Sequence, residues 1–123
     1  MPVEVGELQR ILKILNERTG AVASAVVTRT GVPLASALPD GSHAENFGTM
    51  AATMLGALEV IYTGLARPSP AEIVVMSASG VVLAHSLTPK AFLVTLSESV
   101  TPELRKAVAS FADEARTYLG AEA

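Results

Sequence analysis

The stretch that decides how the chain folds is Glu45 to Ala66, ENFGTMAATMLGALEVIYTGLA, an apolar run in which Glu59 is the only charge after Glu45. It has about the length of a membrane-spanning helix, but Glu59, several threonines and the glycines Gly48, Gly56 and Gly64 oppose insertion. At about 100° per residue, Phe47, Met50, Met54, Leu58, Ile61 and Leu65 fall in one arc, which is expected to face a sheet. The opposite arc of a surface helix normally carries charge. Here it holds Thr49, Ala52, Gly56, Val60 and Thr63, flanked by Gly48 and Leu55. The helix therefore reads as having two faces to bury. Gly48, Ala52 and Gly56, four residues apart, allow a second backbone to come close. The simpler alternative is a monomer with a bland helix surface, because exposed Ala and Thr cost little.

Working outward, the sequence from Val3 to Arg18 places Leu8, Ile11, Leu12 and Leu15 at helical spacing, with Gly20 able to supply a left-handed cap. Ala21 to Thr28 and Pro33 to Leu38 read as two strands joined by the turn Arg29-Thr30-Gly31. Pro39-Asp40-Gly41-Ser42 is a turn, with Asp40 or Ser42 placed to cap the long helix, and Arg67-Pro68-Ser69-Pro70 ends that helix. Three strands follow, Glu72 to Ala78, Val81 to Leu87 and Ala91 to Ser97, separated by Ser79-Gly80 and Thr88-Pro89-Lys90. Thr101 and Pro102 then start a last helix whose apolar face is Leu104, Val108, Phe111, Ala115 and Leu119, closed by Gly120.

Both faces of the strands Ile73 to Met76 and Phe92 to Leu96 are largely apolar, so the sheet is expected to be covered on both sides. The expected fold is a three-layer α/β sandwich built on a five-stranded antiparallel sheet. The long middle helix covers one face, and the first and last helices cover the other. Residues 1–123 form one domain, large enough to bury roughly two thirds of its unfolded surface without disulfides or metal.

Composition narrows the function. A net charge of −3, with Lys and Arg scattered singly, argues against nucleic acid. The absence of cysteine excludes a thiol nucleophile and cysteine metal sites. Glu4 and Glu7 near the start do not suit a signal peptide, so a cytoplasmic protein is expected. Half of the residues are hydrophobic and only 17% are charged, which leaves apolar surface for a partner, most simply a second copy. The strand edges agree. Pro33 and Pro39 guard one strand, whereas Glu72 to Ala78 has no internal Lys or Pro and is a template for antiparallel pairing across a two-fold axis.

The element order, the hairpin AVVTRTGVPLASAL, the small-residue helix after it and the segment AEIVVMSASGVVLAHSLTPKAFLVTLSES resemble the roadblock family of dynein light chains and their prokaryotic relatives. The resemblance covers nearly the whole chain. It implies a homodimer formed through the middle helix and the third strand, with Gly48, Ala52, Leu55, Gly56, Glu59, Ile73 and Val75 at the interface. It also implies a non-enzymatic regulator or scaffold of a Ras-like small GTPase, with Glu45, Thr49, Thr53 and Val60 toward that partner. A motor-cargo adaptor subunit, or a ligand-sensing domain of profilin, GAF or PAS-like type with a pocket between sheet and helix, is the alternative.

No residue pattern marks a catalytic, cofactor or metal site. His85 alternates with Leu83 and Leu87 and reads as a partly buried histidine with a local hydrogen bond. His43, Ser42 and Asp40 lie too close in sequence to form a relay, and the glycines of GSHAENFG match no phosphate-binding pattern. Arg29, at a hairpin tip, reads as a solvated turn residue, with an arginine finger toward a partner's phosphates as the sharper alternative.

Overall fold

Gly20 closes the first helix in the left-handed conformation, at φ 73°, with its N–H donated to the Asn16 carbonyl. At the other end of the chain Thr101 caps the last helix, its Oγ1 accepting from the Leu104 N–H at 3.0 Å, with Pro102 in the first turn. Between these caps the elements of the computed structural model, which describes residues 2–120, follow the expected order. They are α1 (Val5–Thr19), β1 (Ala23–Thr28), β2 (Pro33–Ala37), α2 (Ala44–Gly64), β3 (Glu72–Ser77), β4 (Gly80–Thr88), β5 (Ala91–Ser97) and α3 (Pro102–Leu119).

The strands form one five-stranded sheet in the order β2-β1-β5-β4-β3, antiparallel at every junction. β2 and β3 are therefore its two edges. Strand alternation sends Val26, Leu83 and Leu93 to one face, where they pack with Leu8 and Leu12 of α1 and Val108 and Phe111 of α3. It sends Ala25, Val27, Ala84, Phe92 and Val94 to the other face, beneath α2. Ser24 and Thr95 are fully buried on the α1 side but satisfied: they bond each other at 2.7 Å, and the Ser24 hydroxyl donates to Asn16 Oδ1 at 2.6 Å.

Two local expectations are corrected. α2 has His43 at its N-cap position, and no side chain makes a capping bond there, so neither Asp40 nor Ser42 caps the helix. The larger correction is the orientation of α2. The residues buried on it are Gly48, Ala51 and Leu55. Met50, Ile61 and Leu65, expected against the sheet, are 64%, 55% and 68% exposed. Phe47, Met54 and Leu58 of the expected stripe do pack on the sheet, so the helix is turned only part of the way from the expected setting.

The reason is a backbone approach. Gly31 turns the β1–β2 hairpin at φ 97°, and a Cβ there would lie 3.2 Å from the Thr49 Cα. A Cβ on Gly48 would lie 2.8 Å from the Gly31 carbonyl oxygen and 3.3 Å from Val27 Cγ1. A glycine of the helix is therefore used against the chain's own hairpin, and Met50, Ile61 and Leu65 are displaced to the side.

Candidate functional site

The displaced stripe is the principal apolar surface among the described residues. Ile61, Tyr62 and Leu65 are exposed along the second half of α2 and Met50 along the first half, with Val60 exposed on the outer arc. Beside the first half lies a groove of about 550 Å³, where Phe47, Met50 and Met54 of α2 stand over Val82 of β4 and Val94 of β5. β3 lies next to β4 at the edge of the same sheet. That strand adds Val75 on the α2 face and Met76, 76% exposed, on the opposite one. Among the described residues, no other strand pairs with the outer side of β3 and no side chain hydrogen-bonds the backbone of Glu72–Ser77 along it. A bulky apolar helix stripe, a groove and an open strand edge meet on one side of the molecule.

The residues singled out from sequence divide on inspection. Gly48 and Leu55, expected at a dimer interface, are buried in the chain's own core and offer a second chain no surface. Ile73 is buried beneath α2, and its backbone, opposite Ala84, pairs with β4, so it offers the open edge neither side chain nor peptide groups. Ala52 is half-buried, whereas Gly56 is open, with nothing within 4 Å of where a Cβ would stand. Val75 is 43% exposed. Glu45, Thr49, Thr53 and Val60 all lie exposed on α2. Thr53 turns its hydroxyl back to the Thr49 carbonyl at 2.8 Å. Met50, Ile61, Tyr62, Leu65 and Met76 were absent from the expected site. Their bulk made them look like sheet-facing residues, and Met76 shows its exposure only once β3 is known to be an edge.

Arg29 is neither a solvated turn residue nor a free finger. Its Nη1 donates to Glu59 Oε2 at 2.5 Å and its Nη2 to Ser86 Oγ at 3.3 Å, with the guanidinium 6.0 Å from the centre of the Phe92 ring. Both partners of the ion pair are mostly shielded from solvent. Glu59, expected to face a second chain, instead ties α2 to the end of β1. Arg29→Ala leaves a half-buried carboxylate unpaired, and is expected to lower unfolding stability by about 2 kcal/mol, between the surface and buried cases. Denaturant titration at matched chain concentration checks this, with Glu59→Gln expected to cost less because it keeps a hydrogen-bond acceptor.

His85 pairs across the β3–β4 ladder with Glu72. Its Nδ1 lies 3.0 Å from Glu72 Oε2, and Arg105 of α3 donates to Glu72 Oε1 at 2.6 Å. Burial pushes the Glu72 carboxyl up, but the hydrogen bonds from His85 and Arg105 outweigh it and hold the group below its ordinary value of 4.5. A depressed carboxylate stabilises the fold above its unfolded value, and that contribution is lost as pH falls through the lower native one. Glu72→Gln is therefore expected to flatten the loss of stability on acidification below pH 4.5, a change read from unfolding midpoints across that range. Among the described residues, no cluster of His, Asp and Glu is arranged to hold a metal ion. No described helix is long and apolar enough to cross a membrane.

Residues 7–97 match the Roadblock/LC7 domain. The chain belongs to the Roadblock/LC7 family. Solved structures give the fold of this Roadblock/LC7 chain the same context. MglB of Myxococcus xanthus superposes with a TM-score of 0.86 at 13% identity, over 93% of this chain and 88% of that one. The gliding protein MglB of Thermus thermophilus does so with a TM-score of 0.82 at 16% identity, over 100% and 96%. Profilin IB of Acanthamoeba castellanii aligns with a TM-score of 0.61 at 22% identity, over 89% and 97%. At these identities the likeness is one of fold. No curated protein sequence gave a significant match to this Roadblock/LC7 chain.

Proposed function

We propose that this Roadblock/LC7 chain is a homodimeric regulator or scaffold of a Ras-like small GTPase and brings no catalytic group of its own. The observation that carries the reading is the apolar stripe of α2 lying beside the open β3 edge. Two β3 strands paired antiparallel across a two-fold axis join the sheets of two copies and set their α2 helices antiparallel on one side. The groove beside Phe47, Met50 and Met54 of one copy then receives Ile61 and Leu65 of the other. Val75 is covered in the same step.

The paired helices leave Glu45, Thr49, Thr53 and Val60 outward as a platform for the GTPase. Family membership supports that partner, and the absence of any marked catalytic constellation in the sequence supports a regulator that acts by binding. The test is retention of a Ras-like GTPase from the same organism, loaded with GDP or with a GTP analogue. The wild type is expected to retain one nucleotide state. Val60→Arg, at a position 73% exposed and outside the fold's core, is expected to weaken retention by roughly tenfold or more, as a charge at an interface hot spot does. Equal failure with both nucleotides, together with an apolar ligand co-purifying in the groove, would instead favour the ligand-sensing reading.

A further inference from the structure

The two edges of the sheet are treated differently, and the difference lies in one side chain of α1. Gln9 lies across β2 so that its Nε2 donates to the Ser36 carbonyl, while its Oε1 accepts from the Ser36 N–H at 3.1 Å. A residue on an antiparallel edge directs both backbone groups either toward its neighbour or away from it. Ser36 gives both to Gln9, so it is the residue whose polar groups face away from β1. The primary amide of Gln9 thus occupies the place that one peptide unit of an added strand would take.

The positions on either side are blocked by other means. The ladder is bulged between the Val26 and Val27 pairings, so on one side the next outward residue is Pro33, opposite Val27, which has no N–H to give to a ladder. On the other side β2 ends at Ala37, and Pro39 follows two residues later. Asn16 adds a third contact from α1, its Nδ2 donating to the Ala37 carbonyl at 3.1 Å. Nothing comparable covers β3 among the described residues.

We propose that Gln9 is a surrogate strand that closes the β2 edge, so that pairing between copies is confined to β3 and stops at a closed assembly. Without it each copy would present two pairing edges, and two edges on one sheet permit open-ended growth. The confinement to β3 rests on the dimer reading above, while the closure of β2 by Gln9 stands apart from it.

The experiment compares wild type, Gln9→Ala and Gln9→Glu by hydrogen exchange at the Ser36 amide and by solution mass across a concentration series. Circular dichroism confirms that each variant folds, and alanine at an α1 position is favourable to the helix. In Gln9→Ala the Ser36 amide is expected to exchange roughly fivefold to tenfold faster at low concentration, the loss of one hydrogen bond, and the mass to rise with concentration beyond that of wild type. Gln9→Glu is expected to keep the wild-type mass, because a charge on an edge opposes pairing. Unchanged Ser36 exchange in folded Gln9→Ala would overturn the bond, and faster exchange without growth would overturn its role in closing the edge. A single-chain mass for wild type would remove the β3 dimer but leave both readouts for Gln9 intact.

Discussion

Gly48→Ala destabilises the fold, while Gly56→Ala, eight residues along the same helix, stabilises it. Both substitutions exchange glycine for the best helix former and gain about 1 kcal/mol from propensity alone. At Gly56 nothing lies within 4 Å of the added methyl, so the gain is kept. At Gly48 the methyl would sit 2.8 Å from the Gly31 carbonyl oxygen, a backbone atom held by the hairpin turn, and 3.5 Å from Pro33 Cδ. Helix and hairpin must separate, at a cost of about 2–3 kcal/mol that exceeds the gain. Gly48→Val adds a branched side chain to the same contact and is expected to prevent stable folding. Denaturant midpoints of the variants decide the matter. The opposite order of effects would mean that α2 turns its other small residues toward the sheet.

Ile61→Arg converts the two-chain species to single chains without unfolding it. Ile61 is 55% exposed in the single chain, so arginine there projects into water at little cost. Across the proposed two-fold axis the same residue enters the apolar groove of the other copy, where a guanidinium finds no partner. The expected loss of dimer affinity is on the order of a hundredfold, about 3 kcal/mol, from desolvating an unpaired charge at an apolar contact. Retention of a GTPase that needs both α2 helices falls with it. Val60→Arg, by contrast, is expected to leave the mass unchanged and affect only the partner, so the two variants separate self-association from recognition.

What the sequence made legible was local chemistry. Gly20, Thr101, Pro102 and the turn glycines act within a few residues of where they stand, and each appears in the structure in its expected role. The apolar strands declared a sheet covered on both faces because their alternation is a short-range pattern. The rotation of α2 was not legible for a physical reason. Nearly every position around the helix is apolar or small, so periodicity scarcely distinguishes one face from another, and bulk alone grouped Phe47, Met54 and Leu58, which pack on the sheet, with Met50, Ile61 and Leu65, which do not. The setting is fixed by Gly31 and Gly48 touching across a tertiary contact.

The same limit applies to Arg29. A hairpin tip predicts solvent exposure, but Glu59 lies thirty residues farther along and draws the guanidinium beneath α2. The Gln9 amide is another case. On a helical wheel it is only a polar residue beside an apolar face, and its two bonds to Ser36 require the edge of the sheet to be known. By comparison, the openness of β3 was partly readable, because the lack of lysine and proline within it is a property of the strand itself.

Self-association through β3 and α2 is tested most directly by the solution mass of the wild-type chain over a concentration series, with hydrogen exchange of the β3 amides followed in the same samples. The expected result is a mass twice that of the 12.7 kDa chain at micromolar concentration, and β3 amides that become protected as the dimer forms. A single-chain mass throughout, with the outer amides of β3 exchanging freely at every concentration, would contradict it.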